Sequence, residues 1–149
     1  MQRSSNSPPP NLDEITSWVS SVLAEINVGL LIYHLEEPGD PMSLRLVYAN
    51  RAASDFTGTD LGQLVGMRIL EAFPALAETG LPAAYLDAIE SQRSLELGTT
   101  EYGDENVERG FYSVKAFPMP SDCAGVIFEN ITVRKKVEEL VKKERERKK

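Results

Sequence analysis

Two side chains of this sequence invite a catalytic interpretation, and each stands alone. His34 is the single histidine and Cys123 the single cysteine. Nucleophilic catalysis needs a base within reach of the nucleophile and an acid to orient that base; here His34 is the sole conventional base. One cysteine also excludes an internal disulfide and any multi-cysteine metal site, and one histidine is too few for most other metal centres. Gly58, Gly62 and Gly66 stand at the ends of helical turns rather than in a phosphate-cradling loop. Glu36, Glu37 and Asp40 gather carboxylates, but Pro38 and Pro41 among them indicate a rigid surface turn. Asp104 and Glu105 have the same character. Nothing assembles an enzyme, and the chain is expected not to be one.

The chemistry these residue types do support is that of an apolar pocket. Phe56, Leu64, Met67, Leu70, Phe73, Leu86 and Ile89 are expected to face a sheet, where Tyr112, Val114 and Val126 answer them. Ligand sites of this kind are mostly apolar with a few polar anchors, and Tyr48, Asn50, Arg51 and Tyr112 are the candidate anchors. The same set equally describes a filled core. Residue types alone do not separate the two.

The elements that must position these side chains follow from spacing. Three prolines at 8–10 make residues 1–11 a leader that cannot pack. Asn11 with Glu14 forms a helix start signal. Beyond it Leu12, Ile15, Val19, Val22 and Ile26 recur at helical spacing, with Trp18 and Leu23 widening the stripe. The spacing predicts a helix over 12–26 whose apolar face needs cover. A strand over 28–35 is apolar on both faces, and a second follows from Ser43 to Ala49. Asn50 is placed to cap the helix that starts at Arg51, and Gly58 to end it. Asp60 and Gln63 open a further turn that Gly66 closes, and Met67 to Phe73 is a short apolar segment stopped by Pro74. Pro82 opens a longer helix to Gln92. Three strands are expected at about 94–102, 107–117 and 122–130, joined by turns at 103–106 and 118–121. Two strands, several short helices and three strands describe an α+β domain with an antiparallel sheet and helices on one face.

The chain is 149 residues long with a net charge of −7. That length holds one ordinary domain with extensions, and the 42% apolar and 26% charged content is globular. The charge is uneven. Residues 134–149 carry nine Lys/Arg and four Asp/Glu, a local +5, leaving seven bases and 19 acids elsewhere, a net −12. An acidic body argues against nucleic acid as a partner, and interleaved acids make the basic tail a solvated helix. No apolar run approaches the roughly 18–20 residues of a membrane helix, and the N-terminus lacks a signal-peptide core. A cytoplasmic setting is expected.

The last thirty residues carry a mechanical feature. The strand Gly125-Val126-Ile127-Phe128 runs through Glu129-Asn130-Ile131-Thr132 straight into a charged helix. Val133, Val137 and Leu140 make a 4-3 seam of one heptad, with Val141 beside it, and the continuation falls on Glu144 and Arg147. Pairs four apart, such as Glu138 with Lys142 and Glu144 with Lys148, support its exposed side. An unpaired short helix is marginal, so the seam is expected to continue in a longer parent chain; the alternative is that the helix is a solvated cap.

With these joints in this order, the sequence resembles the PAS family of sensory domains over about residues 27–133. Tyr48-Ala49-Asn50-Arg51-Ala52-Ala53 followed by Phe56-Thr57-Gly58 is similar to the family's strand-to-helix junction. Leu64-Val65-Gly66 and Phe73-Pro74 resemble the segment after it, and Tyr112 to Pro118 the fourth strand. Glu129-Asn130-Ile131-Thr132 resembles the closing Asp-Ile-Thr motif. Asn130 departs from the aspartate usual there and cannot form an ion pair with Arg134, though it can still cap a helix.

The resemblance implies a five-stranded antiparallel sheet over residues 27–132, flanked by the helix over 12–26 and by the start of a signalling helix over 133–149. It implies a sensory input module that binds a small molecule or partner and passes a change through Asn130, Ile131, Thr132 and Arg134 to an effector. A histidine kinase in the same chain is the first choice. The alternative is a ligand-free dimerisation module with a filled core, pairing through Ile15, Trp18, Val19, Val22, Val133, Val137 and Leu140. A homodimer is expected on either view. Cysteinyl-flavin photochemistry is disfavoured, because Gly66 to Glu71 lacks the family's reactive cysteine. Haem is disfavoured because the helix from Pro82 to Gln92 has no histidine. No other cofactor is indicated.

Overall fold

The computed structural model describes residues 9–25 and 28–147. Most of the expected leader, Ile26 of the first apolar stripe and Lys148 of the last charge pair lie outside the described residues. Asn11 accepts the Glu14 N–H at 2.8 Å and so caps helix α1, Leu12–Glu25. Strand β1 is Gly29–Leu35 and β2 is Leu44–Ala49. Helices α2 (Arg51–Thr57), α3 (Ile69–Ala72) and α4 (Leu81–Ser91) follow, with single 3-10 turns at Pro41–Ser43, Leu61–Leu64 and Pro74–Glu78. Strands β3 (Leu95–Asp104), β4 (Val107–Met119) and β5 (Cys123–Asn130) precede helix α5, Thr132–Arg147.

The described strands make one five-stranded antiparallel sheet in the order β2-β1-β5-β4-β3. The fold is the α+β arrangement that the element order indicates. The helical segment after β2 crosses from one sheet edge to the other. This crossing leaves β1 and β5 at the centre. Period-two alternation sorts each strand: Leu31, Tyr33 and Leu35 of β1 are buried, while Leu30, Ile32 and His34 between them are half-buried. The buried face joins Tyr112, Val114, Ala116, Ala124, Val126 and Phe128 to the helical layer in one core.

Three local departures from the sequence expectation have clear causes. The β2 register jumps, with Ile32 opposite Tyr48 but Tyr33 opposite Leu46, so Val47 is an extra, exposed residue in a β-bulge. The turn expected at 103–106 shrinks to Glu105-Asn106, since Asp104 still pairs with Val107. Gly103 remains in the strand, where a Cβ would lie 2.7 Å from the Arg109 backbone. The turn expected at 118–121 shifts to Pro120-Ser121-Asp122, where Ser121 and Asp122 take φ of 63° and 57°. Pro118 is tolerated inside β4 because β3 stops pairing at Leu95–Ala116, leaving its missing N–H on a free edge.

Candidate functional site

Between the sheet and the helices lies an apolar cavity of about 70 Å³. The sheet contributes Leu31, Tyr33, Tyr102, Tyr112, Val114, Val126 and Phe128, and the helical layer Thr57, Leu61, Phe73, Leu76, Leu81 and Tyr85, with Val107 closing one end. Tyr33 stacks on Tyr85 at 5.6 Å between centroids, and Tyr112 meets Phe128 edge-on at 5.9 Å. The cavity exceeds the roughly 10–15 Å³ that one water needs and falls short of the roughly 150 Å³ that holds benzene. Among its residues no charged side chain appears. Burial raises the pKa of Tyr85, of Tyr102 and of Tyr33, whose phenol also feels Tyr85 and Tyr102.

Phe73, Tyr112, Val114 and Val126 of the expected pocket set line this cavity. Leu64 and Ile89 are buried elsewhere in the core, and Phe56, Leu70 and Leu86 pack at its margin. Four expected residues go elsewhere. The bulge at Val47 turns Tyr48 to the opposite face from Leu46, beside Ile32, where its hydroxyl bonds the Ser20 hydroxyl of α1. Asn50 is fully engaged in structure: its Oδ1 accepts the N–H groups of Ala53 and Leu30, both at 2.9 Å, and its Nδ2 donates to the Val28 carbonyl at 3.1 Å. Arg51 is exposed at the start of α2. Met67 is 37% exposed, because its backbone carbonyl accepts the Leu46 N–H and so covers the open edge of β2.

The exit from the sheet is a compact hydrogen-bonded clasp. Thr132 Oγ1 donates to Asn130 Oδ1 at 2.6 Å and accepts the Phe111 N–H at 3.0 Å. Asn130 Oδ1 also accepts the Thr132 N–H at 3.0 Å, and buried Ile131 donates its N–H to the Phe111 carbonyl at 2.8 Å. Gly110 makes room: a Cβ there would lie 2.5 Å from Thr132 Oγ1. Arg134 is exposed on the first turn of α5. From Lys136 to Arg147 every described residue of α5 is exposed. On α1, Trp18 is 54% exposed in an apolar groove with Ile15, Val19, Val22 and Leu23.

Of the carboxylates gathered in the 36–40 turn, Glu36 and Asp40 are engaged by the protein itself. Glu36 pairs with Arg45 at 2.8 Å and Arg68 at 3.1 Å, and the Arg45 hydrogen bonds, with help from Arg68, bring its carboxyl down to about 2. Asp40 Oδ1 accepts the Met42 N–H at 2.9 Å, capping the turn at Pro41. Among the described residues no group of three or more His, Cys, Asp or Glu is placed to hold a metal. His34 Nδ1 lies 3.0 Å from the Ser121 carbonyl and 3.6 Å from Cys123 Sγ across the β1–β5 pair. Burial and the nearby Asp122 push the Cys123 thiol up.

The sequence model of the family described as PAS fold matches residues 42–136, well over half of the chain. The chain belongs to the PAS-fold family. No curated protein sequence matches it. Among solved structures, the PAS domain of a Colwellia psychrerythraea protein is similar with a TM-score of 0.58 at 14% identity, covering 79% of this chain and 98% of that one. A domain of a sensory box sensor histidine kinase/response regulator from Geobacter sulfurreducens gives 0.57 at 15% identity, covering 80% and 97%. A sensory box sensor histidine kinase from Vibrio cholerae gives 0.53 at 16%, covering 81% and 94%. At these identities the likeness is one of fold.

Within this PAS domain, sequence reasoning left out ten of the cavity residues, among them Leu31, Tyr33, Tyr85 and Tyr102. Leu31 and Tyr33 carried the period-two signal of β1, which marks a buried face without saying what it faces. Among the described residues no helix is long and apolar enough to cross a membrane.

Proposed function

We propose that this PAS domain is a cytoplasmic sensory input module, in which the state of the apolar cavity is passed to α5 and from there to an effector in the same parent chain. One observation carries the proposal. Phe111 holds the exit clasp through both backbone groups, its N–H on the Thr132 hydroxyl and its carbonyl on the Ile131 N–H, while its neighbour Tyr112 lines the cavity. Wall and exit are consecutive residues of one strand. A ligand or partner that favours one of two arrangements of β4 and β5 then shifts the helix, and only a difference in affinity between the two states drives that shift. Residues 27–132 are the sensing unit, with α1 and α5 as its flanks.

The effector chemistry lies outside this domain, and a histidine kinase is the first candidate. The domain itself is not an enzyme, and neither a cysteinyl-flavin nor a haem is its cofactor. Signal-dependent output of the parent protein tests this account. Thr132→Val breaks the clasp and is expected to change that output, whereas Thr132→Ser preserves it; equal outputs from both would count against coupling through the exit.

The exposed apolar faces favour a second role. Ile15, Trp18, Val19 and Val22 of α1 stand open, as do Val133, Val137 and Leu140 of α5 at heptad spacing. A second copy of the chain is the natural cover, because a heptad seam is complementary to itself. On this account the domain is a homodimer whose flanking helices pair, with or without a ligand. A monomer by light scattering at high concentration would remove it.

A further inference from the structure

Tyr33 is wholly buried, lines the cavity, and its hydroxyl finds no hydrogen-bond partner among the described residues. A buried hydroxyl without a partner is unfavourable, and such groups are rare in native cores. The other lining hydroxyls whose bonds are defined are committed. Tyr112 donates to the Glu108 carbonyl at 2.6 Å, Tyr102 donates to Asp104, and Thr57 donates to the Ala53 carbonyl at 2.9 Å. Tyr33 therefore carries a buried, unpartnered donor in an otherwise apolar space.

We propose that the Tyr33 hydroxyl is the recognition point of the cavity, and that the ligand is a small neutral molecule with an apolar body and one hydrogen-bond-accepting oxygen. This deepens the sensory role above and rests on it. Three observations set the chemical class. The lining has no charged side chain to compensate an ionic ligand, so a carboxylate or ammonium would be buried unpaired. Burial keeps the Tyr33 phenol protonated across the physiological range, so it donates and the ligand accepts. The volume of about 70 Å³ admits only a few heavy atoms without adjustment, and the half-buried Leu81 and Tyr102 are the lining residues able to yield for a small ring.

The test uses cyclopentanone as the probe, with cyclopentane and cyclopentylammonium as shape-matched controls, followed by amide chemical shifts of the whole chain. Cyclopentanone is expected to move the amides of Tyr33, Tyr85 and Tyr112, and the ammonium to leave them unmoved. Tyr33→Phe should weaken the ketone about three- to tenfold, the size of one hydrogen bond, and leave the hydrocarbon unchanged. The same variant should melt a few degrees higher than the parent, since it removes an unpaired buried hydroxyl. Equal binding of ketone and hydrocarbon, with no effect of Tyr33→Phe, overturns the proposal while leaving the cavity as a sensor. A lower melting temperature for Tyr33→Phe overturns it as well, because the hydroxyl would then already be satisfied. Failure of all three probes to reach the cavity also overturns it, and native mass spectrometry of the purified chain then decides the sensory role separately: a retained extra mass keeps it.

Discussion

The Thr132 hydroxyl joins two elements at once, donating to Asn130 Oδ1 at 2.6 Å and accepting the Phe111 N–H at 3.0 Å. The asparagine that replaces the family's usual aspartate therefore does not leave the exit loose. It takes both the backbone and the hydroxyl hydrogens of Thr132 and needs no arginine to do so. Thr132→Val should destabilise the chain by about 1–2 kcal/mol, the range of two modest hydrogen bonds, and Thr132→Ser should cost far less. Urea unfolding of the two variants measures the difference.

Gly110→Ala should act on the same clasp from below. The added methyl would sit 2.5 Å from Thr132 Oγ1, so the threonine must move or the strand must bend. Overpacking of this kind costs about 1–3 kcal/mol. Faster amide exchange at Phe111 is the specific signature; unchanged exchange there would mean that the exit tolerates the methyl by another route.

Asn50 should be the most sensitive polar position of the domain. Its side chain makes three bonds that join the start of β1 to the cap of α2. Asn50→Ala loses the cap and leaves the Leu30 N–H and the Val28 carbonyl without this partner, a cost of about 3 kcal/mol. Asn50→Asp keeps the two accepted bonds and loses the donation to Val28, so its midpoint in denaturant should fall between alanine and the parent.

The Glu36 pair predicts a pH effect of defined sign. Arg45 and Arg68 hold the folded carboxyl at about 2, below the ordinary 4.5. A carboxyl depressed on folding stabilises the fold above its unfolded value, and that contribution is lost as the pH falls from about 4.5 towards 2. Glu36→Gln should flatten the loss of stability over that window and change little at pH 7 beyond the loss of an exposed pair. Thermal melts of both proteins between pH 2 and 7 make the comparison.

Trp18→Lys and Val137→Lys test the exposed helix faces. Each places a charge on an apolar stripe that is open in the single chain. If a second copy covers those stripes, sedimentation should show a shift from dimer to monomer, with the fold retained by circular dichroism.

The order of elements was legible because each rests on local signals: the caps Asn11, Asn50 and Asp60, the helix stop at Gly58, and the alternation of Leu31, Tyr33 and Leu35. The candidate site was legible only in part. Phe73, Tyr112, Val114 and Val126 fall on the cavity because strand and helix periodicity place them there. Tyr48 does not, because a single bulged residue at Val47 reverses the face of everything after it, and nothing local in Ser43 to Ala49 announces a bulge. Met67 was misplaced for a related reason. Its segment lies along the open edge of β2 through backbone bonds, and backbone pairing leaves no mark on side-chain spacing.

The claim that most needs testing is that the cavity and the exit are one mechanical unit. Val126→Ile adds a single methylene to a wall of the cavity, on the strand that ends at Asn130. Hydrogen exchange of the chain should then change at the Thr132 and Phe111 amides as well as around the cavity. Changed exchange at Tyr112 and Val114 with an unaltered clasp would contradict the account and leave a core without an output.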